Sequence, residues 1–259
     1  MKTLRLFSVQ AGILLLTGAL LGLMLGGLLR SAGAGETGVV APPPSPPTGS
    51  RNAAARALAY TVTIEEHGVY GSGILVVPRA GLVLTAAHVV SDMSRPLVSF
   101  GDGQQFSGRL VDSDRALDLA LLEIPPQERP APQFGDPLAL DAGDEVYAVG
   151  CPRHLPFSVA RGIVSYLGRM MDGARWLQTD IPVNEGNSGG PVVDRTGRLV
   201  AMTSFILRRA QGLSFALPIA YALERFAQLT PLADREQLER FRQWRGALPG
   251  RSEDRPAQH

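Results

Sequence analysis

Short apolar runs separated by glycine, proline and other turn-forming residues fill the chain from residue 58 to residue 218. Apolar runs of this length and spacing are typical of β-strands, because helices need longer segments with a helical period. The pattern occurs twice, at about 58–126 and 138–218, and the proline-rich segment Pro125–Pro137 separates the two sets. The sequence therefore predicts an all-β domain built from two sets of strands.

A long uncharged segment near the N-terminus predicts a membrane-inserted helix. Lys2 and Arg5 come before it, and no charged residue occurs from Phe7 to Leu29. At about 1.5 Å per residue, a helix of this length crosses a hydrocarbon layer of roughly 30 Å. We interpret residues 1–30 as an uncleaved signal anchor that leaves the rest of the chain exported. The alternative is a signal peptide cleaved after Ala34, which would release a secreted protein.

Composition limits what the other segments can do. Residues 31–52 are rich in glycine, alanine and proline, which predicts an extended spacer. The net charge of +1, without a long basic run, argues against nucleic acid as a partner. Cys151 is the only cysteine, so the chain can form no intramolecular disulfide.

Two helices are predicted after the strands. Residues 219–229 and 232–247 have helical spacing, and the second segment carries an apolar stripe of Leu238, Phe241 and Trp244. We expect this stripe to pack against the domain. The polar tail that follows is expected to be disordered.

Three polar side chains stand at the ends of predicted strands. His88 follows a strand among small residues, Asp118 directly precedes the apolar run Leu119–Ile124, and Ser188 lies in the glycine-rich stretch Asn184–Pro191. A tight turn around a serine can aim backbone N–H groups at a developing oxyanion. A nucleophilic serine also needs a base, and the base needs a carboxylate to orient it. Taken singly, each residue has an ordinary structural interpretation: a surface turn, a packed histidine, or an acid that begins a strand.

The motifs around these residues resemble those of a known family. Thr85–Val89, Asp118–Leu122 and Gly186–Pro191 are similar to the three catalytic motifs of the trypsin-like (chymotrypsin-fold) serine proteases. With Gly162–Ser165, Leu177–Asp180 and Gly212–Pro218, they resemble more narrowly the bacterial HtrA/Deg branch. The resemblance covers about residues 60–223. It implies two six-stranded antiparallel β-barrels with the active site in the cleft between them.

The resemblance also implies a role for each residue. His88 would be the general base and acid, Asp118 would orient it, and Ser188 would attack the scissile carbonyl. The backbone N–H groups of Gly186 and Ser188 would form the oxyanion hole, with Asn187 as a further contributor. This chemistry needs no metal and no cofactor.

Substrate-binding residues follow from the same resemblance. The base of the substrate pocket would lie near Ile181 and Pro182, with Thr203, Ser204 and Phe205 along its wall. No acid occupies the position that selects arginine or lysine in trypsin-like enzymes. We therefore expect a small or medium apolar residue on the acyl side of the scissile bond.

The sequence thus predicts a serine endopeptidase that hydrolyses exported or misfolded proteins. Its protease domain would span residues 53–230, followed by a C-terminal helix and tail at 231–259. The N-terminal helix would anchor it in the bacterial inner membrane, with the protease domain in the periplasm. The few dozen residues after Leu223 are too few for a PDZ domain, and a homotrimer is expected from the resemblance alone. The alternative function is a catalytically latent, polypeptide-binding chaperone or regulator.

Cys151 occupies a position where the family often has asparagine. It either lies in a loop beside the active site or is simply a small buried side chain.

Overall fold

The computed structural model describes residues 48–151, 157–206 and 212–247. The predicted membrane anchor, most of the predicted spacer and the C-terminal tail lie outside the described residues. Helix α1 (Thr48–Leu58) begins inside the range that was predicted to be spacer. None of the helices in the described ranges is both long enough and apolar enough to span a bilayer.

The first half of the domain is a seven-stranded antiparallel sheet. Its strands are β1 (Thr61–Glu66), β2 (Val69–Val77), β3 (Leu82–Thr85), β4 (Leu97–Phe100), β5 (Gln105–Ser107), β6 (Arg109–Asp114) and β7 (Leu119–Glu123), and the short helix α2 (Ala87–Val90) follows β3. The strand order is β5-β4-β1-β2-β3-β7-β6. Strands β3 and β7 are almost wholly buried, which explains why their sequences are nearly continuous apolar runs.

This sheet differs from the closed six-stranded barrel that the resemblance implied. The chain between β5 and β6 changes direction at Gly108, whose N–H donates to the carbonyl oxygen of Pro96 at 2.7 Å. Before Gly108 the chain pairs with β4, and after it the chain pairs with β7. Both edges of the sheet are therefore consecutive parts of the chain, and the change of direction at one glycine turns the expected six strands into seven.

The second half is a closed six-stranded barrel, as predicted. Its strands are β8 (Glu145–Gly150), β9 (Ser158–Met171), β10 (Ala174–Thr179), β11 (Pro191–Asp194), β12 (Leu199–Ile206) and β13 (Ser214–Pro218). They close in the order β10-β13-β12-β11-β8-β9. The turn Asp194–Arg198 between β11 and β12 contains Gly197 at a φ of +84°, a conformation that favours glycine.

Two helices follow the barrel, α3 (Ile219–Arg225) and α4 (Arg235–Gly246). Leu238 and Phe241 of α4 are buried, and the Phe241 ring packs edge-on against Tyr221 with 4.9 Å between ring centroids. Trp244 covers Gly168, where a Cβ atom would come within 2.7 Å of the indole. The predicted packing of the apolar stripe against the domain is confirmed.

Candidate active site

The pairing of β3 with β7 brings His88 to Asp118. Thr85 at the end of β3 lies opposite Ala120 near the start of β7, so the segment after one strand borders the segment before the other. His88 Nδ1 lies 2.8 Å from Asp118 Oδ2 and 3.0 Å from Oδ1. A carboxylate there accepts a hydrogen bond from Nδ1–H, and in that tautomer Nε2 of the neutral ring is left as a proton acceptor.

Asp118 is held in an unusual backbone conformation. Its φ of +54° lies in the left-handed region, which costs a non-glycine residue about 1 kcal/mol. Two hydrogen bonds from the first turn of α2 offset this cost: Ala87 N–H donates to the Asp118 carbonyl at 3.1 Å, and His88 N–H donates to Oδ1 at 2.9 Å. The strain therefore accompanies a carboxylate that is fixed against the histidine.

Ser204 supplies a further hydrogen bond to the carboxylate. It is buried in a bulge of β12, between Thr203 and Phe205, and its hydroxyl donates to Asp118 Oδ2 at 2.6 Å. Burial raises the pKa of Asp118, but the hydrogen bonds from His88 and Ser204 outweigh it and hold that pKa below its usual value. Sequence reasoning placed Ser204 on the pocket wall and missed this contact, because a bulge has no clear local signature here.

Ser188 shares a cavity with His88. The cavity has a volume of about 260 Å³, and Tyr70, Glu185 and Gly186 also line it. The Ser188 hydroxyl donates to the carbonyl oxygen of Ser204 at 2.9 Å. No hydrogen bond joins Ser188 Oγ to the His88 ring within the described part of the chain. The structure therefore brings the three predicted residues together, with the serine hydroxyl turned to a backbone acceptor.

The loop before β11 orients the Ser188 amide. Asn187 N–H donates to the Asn184 carbonyl, and the Asn187 carbonyl accepts from Gly190 N–H, both at 3.0 Å. Because a trans peptide points its C=O and N–H in opposite directions, the Ser188 N–H points away from Gly190. Among the described hydrogen bonds, the N–H groups of Gly186 and Ser188 have no acceptor. Both N–H groups are therefore without a competing acceptor among the described residues.

The Asn187 side chain packs against the end of β8. It is buried, and a Cβ atom on Gly150 would lie 2.6 Å from Asn187 Oδ1. The neighbouring Cys151 is also buried, and its thiol accepts a hydrogen bond from Thr63 at 2.9 Å. Burial raises the pKa of this thiol, although hydrogen bonds with Thr63 and Ser72 oppose the shift. The interpretation of Cys151 as a small buried side chain is confirmed.

The predicted base of the substrate pocket is divided between core and surface. Ile181 is packed in the barrel core, where Ser214 Oγ donates to its carbonyl at 2.6 Å, whereas Pro182 is exposed. The nearby acid Asp180 accepts a hydrogen bond from the Ile163 N–H at 2.6 Å. Its carboxylate is thus bound to β9.

The predicted pocket wall lies on β12. Thr203 is buried, and its hydroxyl has no partner among the described residues. Ser204 faces Asp118, as described above, and the side chain of Phe205 lies outside the described residues. Substrate contacts at these positions stay predictions.

A second cavity is lined in part by His88 and Asp118. It has a volume of about 390 Å³, and Ser91, Asp92 and Arg115 line it together with His88 and Asp118. His88 therefore borders two cavities.

The sequence matches a known protein family and proteins that are named as serine proteases. Residues 71–202 match the family model of the trypsin-like peptidase domain. A probable periplasmic serine endoprotease, DegP-like, from Pseudomonas fluorescens is 34% identical over 73% of this chain and 38% of its own length. The putative serine protease HhoA from Synechocystis is 35% identical over 63% of this chain and 44% of its own length. The chain thus spans about two fifths of the length of these curated relatives.

Solved structures of similar proteins superpose on most of the chain. The serine endoprotease from Yersinia pestis matches with a TM-score of 0.65 and 31% identity, covering 72% of this chain and 68% of that one. The HtrA-type protease AlgW with a tripeptide also matches with a TM-score of 0.65 and 31% identity, covering 69% of this chain and 62% of that one.

Proposed function

Because the chain belongs to the trypsin-like peptidase domain family, we propose that it is a serine endopeptidase acting through His88, Asp118 and Ser188. Its substrates would be exported or misfolded proteins. The observation that carries the proposal is the 2.8 Å contact between His88 Nδ1 and Asp118, on the border of a cavity shared with Ser188. A histidine that served only to pack the core would be buried. The His88 side chain is instead half exposed and lines a cavity together with Ser188.

Peptide hydrolysis would proceed in two steps. Rotation about the Cα–Cβ bond of Ser188 frees its hydroxyl from Ser204 and turns it to His88 Nε2. Ser188 Oγ then forms a bond to the scissile carbonyl carbon, its proton passes to Nε2, and Nε2 returns the proton to the departing amine as the C–N bond breaks. A water molecule attacks the acyl-enzyme with the same proton transfers, which releases the acid and restores Ser188.

Charge stabilisation comes from both sides of the reacting atoms. The N–H groups of Gly186 and Ser188 would donate to the carbonyl oxygen as it becomes an oxyanion, and one such donor is typically worth about 3 kcal/mol of barrier. The anionic Asp118 would stabilise the imidazolium of His88, which forms in the same step. Ser204 would keep that carboxylate ionised by donating its hydroxyl to it.

We also propose a location and an assembly for the domain. The relatives that the chain matches include periplasmic endoproteases, which supports an extracytoplasmic protease domain. The uncharged segment from Phe7 to Leu29 supports a single-pass anchor in the bacterial inner membrane. A homotrimer is supported only by the resemblance to the HtrA/Deg branch.

A latent polypeptide-binding protein is the second candidate function. The observation that favours it is the hydrogen bond from the Ser188 hydroxyl to the Ser204 carbonyl, which leaves the nucleophile turned away from its base. In addition, no described hydrogen bond holds the peptide group between Glu185 and Gly186, so the Gly186 N–H is not locked toward the cavity.

Hydrolysis of an unfolded protein separates the two functions. Incubation of the full chain with reduced, carboxymethylated casein should give new peptides by mass spectrometry, and the Ser188→Ala variant should give none while still binding the casein. Equal binding by both proteins without cleavage by either would contradict the enzyme and support the latent binding protein.

A further inference from the structure

Ser72 in β2 forms hydrogen bonds with two peptide groups of the loop that carries Ser188. Its N–H donates to the carbonyl oxygen of Ser188 at 2.8 Å, and its hydroxyl donates to the carbonyl oxygen of Gly186 at 2.6 Å. Ser72 is fully buried, so solvent does not compete for these bonds. A residue of the first sheet thus holds the carbonyls next to both predicted oxyanion donors.

The other polar atoms of Ser72 are bonded as well. Its hydroxyl accepts a hydrogen bond from the N–H of Cys151 at 3.0 Å, and its carbonyl accepts one from the Thr85 hydroxyl at 2.7 Å. The residue therefore joins the ends of β3 and β8 to the loop that carries Ser188. Its hydroxyl acts as donor and acceptor at once, so it cannot turn away without breaking both bonds.

Glycine conformations make this support necessary. Gly186 has a φ of +97°, and glycine has the widest choice of backbone conformations of any residue. Each peptide group is planar, so a held carbonyl fixes the plane on its side of the Cα atom. Ser72 fixes the planes after Gly186 and after Ser188, while Gly190 N–H fixes the plane between them. Ser72 therefore restrains the carbonyl side of Gly186, which limits how far the N–H on the other side of its Cα atom can move.

Strand β2 and the loop that carries Ser188 pack closely against each other around Ser72. A Cβ atom on Gly71 would lie 2.6 Å from Val89 and 3.2 Å from the Ser188 carbonyl, and one on Gly189 would overlap the carbonyl of Ser72. The strand and the loop therefore approach each other more closely than larger side chains would permit. At this approach, Ser72 has the one hydroxyl that reaches the Gly186 carbonyl among the described contacts.

We propose that Ser72 is a positioning residue that sets the oxyanion donors for catalysis. It contacts neither the substrate nor the reacting atoms; it acts through the carbonyls of Gly186 and Ser188. The inference rests on the proposed peptidase function. It goes beyond that function in naming the residue that prepares the oxyanion hole.

The test separates transition-state stabilisation from substrate binding. In Ser72→Ala, kcat should fall about tenfold or more while KM changes less than about threefold, because the donors act on the oxyanion and not on the bound peptide. The affinity for a peptide boronic acid, whose tetrahedral adduct with Ser188 presents an oxygen to these donors, should fall by about the same factor. Peptide affinity in a Ser188→Ala background should not change on adding Ser72→Ala.

Thr61→Val is the matched control. Thr61 is equally buried on β1, and its hydroxyl donates to the Ala57 carbonyl at 2.7 Å, a bond that does not involve the loop that carries Ser188. The control should lower the unfolding temperature without changing kcat or boronic acid affinity. A loss of stability alone therefore cannot produce the result expected for Ser72→Ala.

Ser72→Cys keeps the test open if Ser72→Ala does not fold. The thiol is close in size to the hydroxyl but is a weak donor, so kcat and boronic acid affinity should fall together by a smaller factor. Unchanged kcat and boronic acid affinity in a folded Ser72 variant would overturn the inference and leave the peptidase intact. A wild-type chain that neither cleaves peptides nor binds the boronic acid would instead contradict the proposed function.

Discussion

The Ser188 hydroxyl donates a hydrogen bond of 2.9 Å to the backbone carbonyl of Ser204. The Ser204 hydroxyl in turn donates a hydrogen bond of 2.6 Å to Oδ2 of Asp118. One bulged residue of β12 therefore contacts both the proposed nucleophile and the proposed orienting acid. A bound peptide whose N–H donates to the Ser204 carbonyl would compete with Ser188 for this acceptor and release the hydroxyl toward His88.

Ser204→Ala tests the side-chain part of this contact. The variant keeps the carbonyl but removes one of the hydrogen bonds that lower the pKa of Asp118. Hydrogen bonds to charged groups are worth about 1.5–3 kcal/mol, so kcat/KM should fall by roughly tenfold or more. Steady-state hydrolysis of a peptide substrate measures this. Thr230→Val removes a hydroxyl bond to the Leu223 carbonyl, outside the site, and sets the baseline; equal effects in both variants would contradict a role for Ser204 in the site.

The lowered pKa of Asp118 predicts acid sensitivity of the fold. The ordinary value is 3.8, and the folded value lies below it, so the ionised form stabilises the folded state. This contribution is complete above the ordinary pKa and is lost as the pH falls through the folded pKa. Asp118→Asn, which keeps the shape and tolerates a positive φ, should therefore show a weaker loss of stability in acid.

Urea unfolding at a series of pH values from about 3 to 7 measures this difference. The free energy of unfolding of wild type and Asp118→Asn should converge toward the acid end of the series. Parallel curves over the whole range would show that the carboxylate contributes nothing as an ion.

Gly189→Ala should destabilise the domain strongly. Gly189 has a φ of +85°, and a Cβ atom there would overlap the Ser72 carbonyl and the Thr85 hydroxyl. Backbone strain and overlap together should cost about 3 kcal/mol or more. Gly143→Ala is the matched control, because Gly143 has a φ of +99° but a Cβ atom there would have no neighbour within 4 Å. It should cost only about 1 kcal/mol, and equal unfolding midpoints for the two variants would refute the overlap.

The substrate preference is open to a peptide-library profile. Small and medium apolar residues should dominate on the acyl side of the cleaved bond, because no acid occupies the position that selects arginine or lysine and the nearby Asp180 carboxylate accepts a hydrogen bond from the Ile163 N–H. Asp180→Asn should leave this preference unchanged. Cleavage mainly after arginine or lysine, with a loss of that preference in Asp180→Asn, would show that the acid faces the substrate after all.

The residues of the candidate site could be found in the sequence where local motifs carry them. His88 stands among small residues, Ser188 among glycines and Asp118 directly before an apolar run, and the motifs around them carry the resemblance that implied their roles. The six strands of the second half could also be predicted, since they are separate apolar runs, whereas their closure into a barrel was implied by the family resemblance. Both features depend on patterns within a few neighbouring residues.

The features that escaped prediction depend on contacts between distant parts of the chain. Gly108 separates β5 from β6 where its N–H donates to the carbonyl of Pro96, and Ser204 reaches Asp118 from a bulge of β12. Ser72 lies in an ordinary strand sequence, and its partners Gly186 and Ser188 are more than a hundred residues away. No periodicity or spacing carries such information.

Labelling with a fluorophosphonate probe tests the central claim most directly. Ser188 Oγ would displace fluoride, with His88 accepting the proton, and the mass of the peptide that contains Ser188 would increase by one probe adduct. The full chain should label stoichiometrically, Ser188→Ala should not label, and His88→Ala should label roughly a thousandfold more slowly. Absence of labelling in the folded wild-type chain, or equal labelling in Ser188→Ala, would contradict the assignment of Ser188 as the nucleophile.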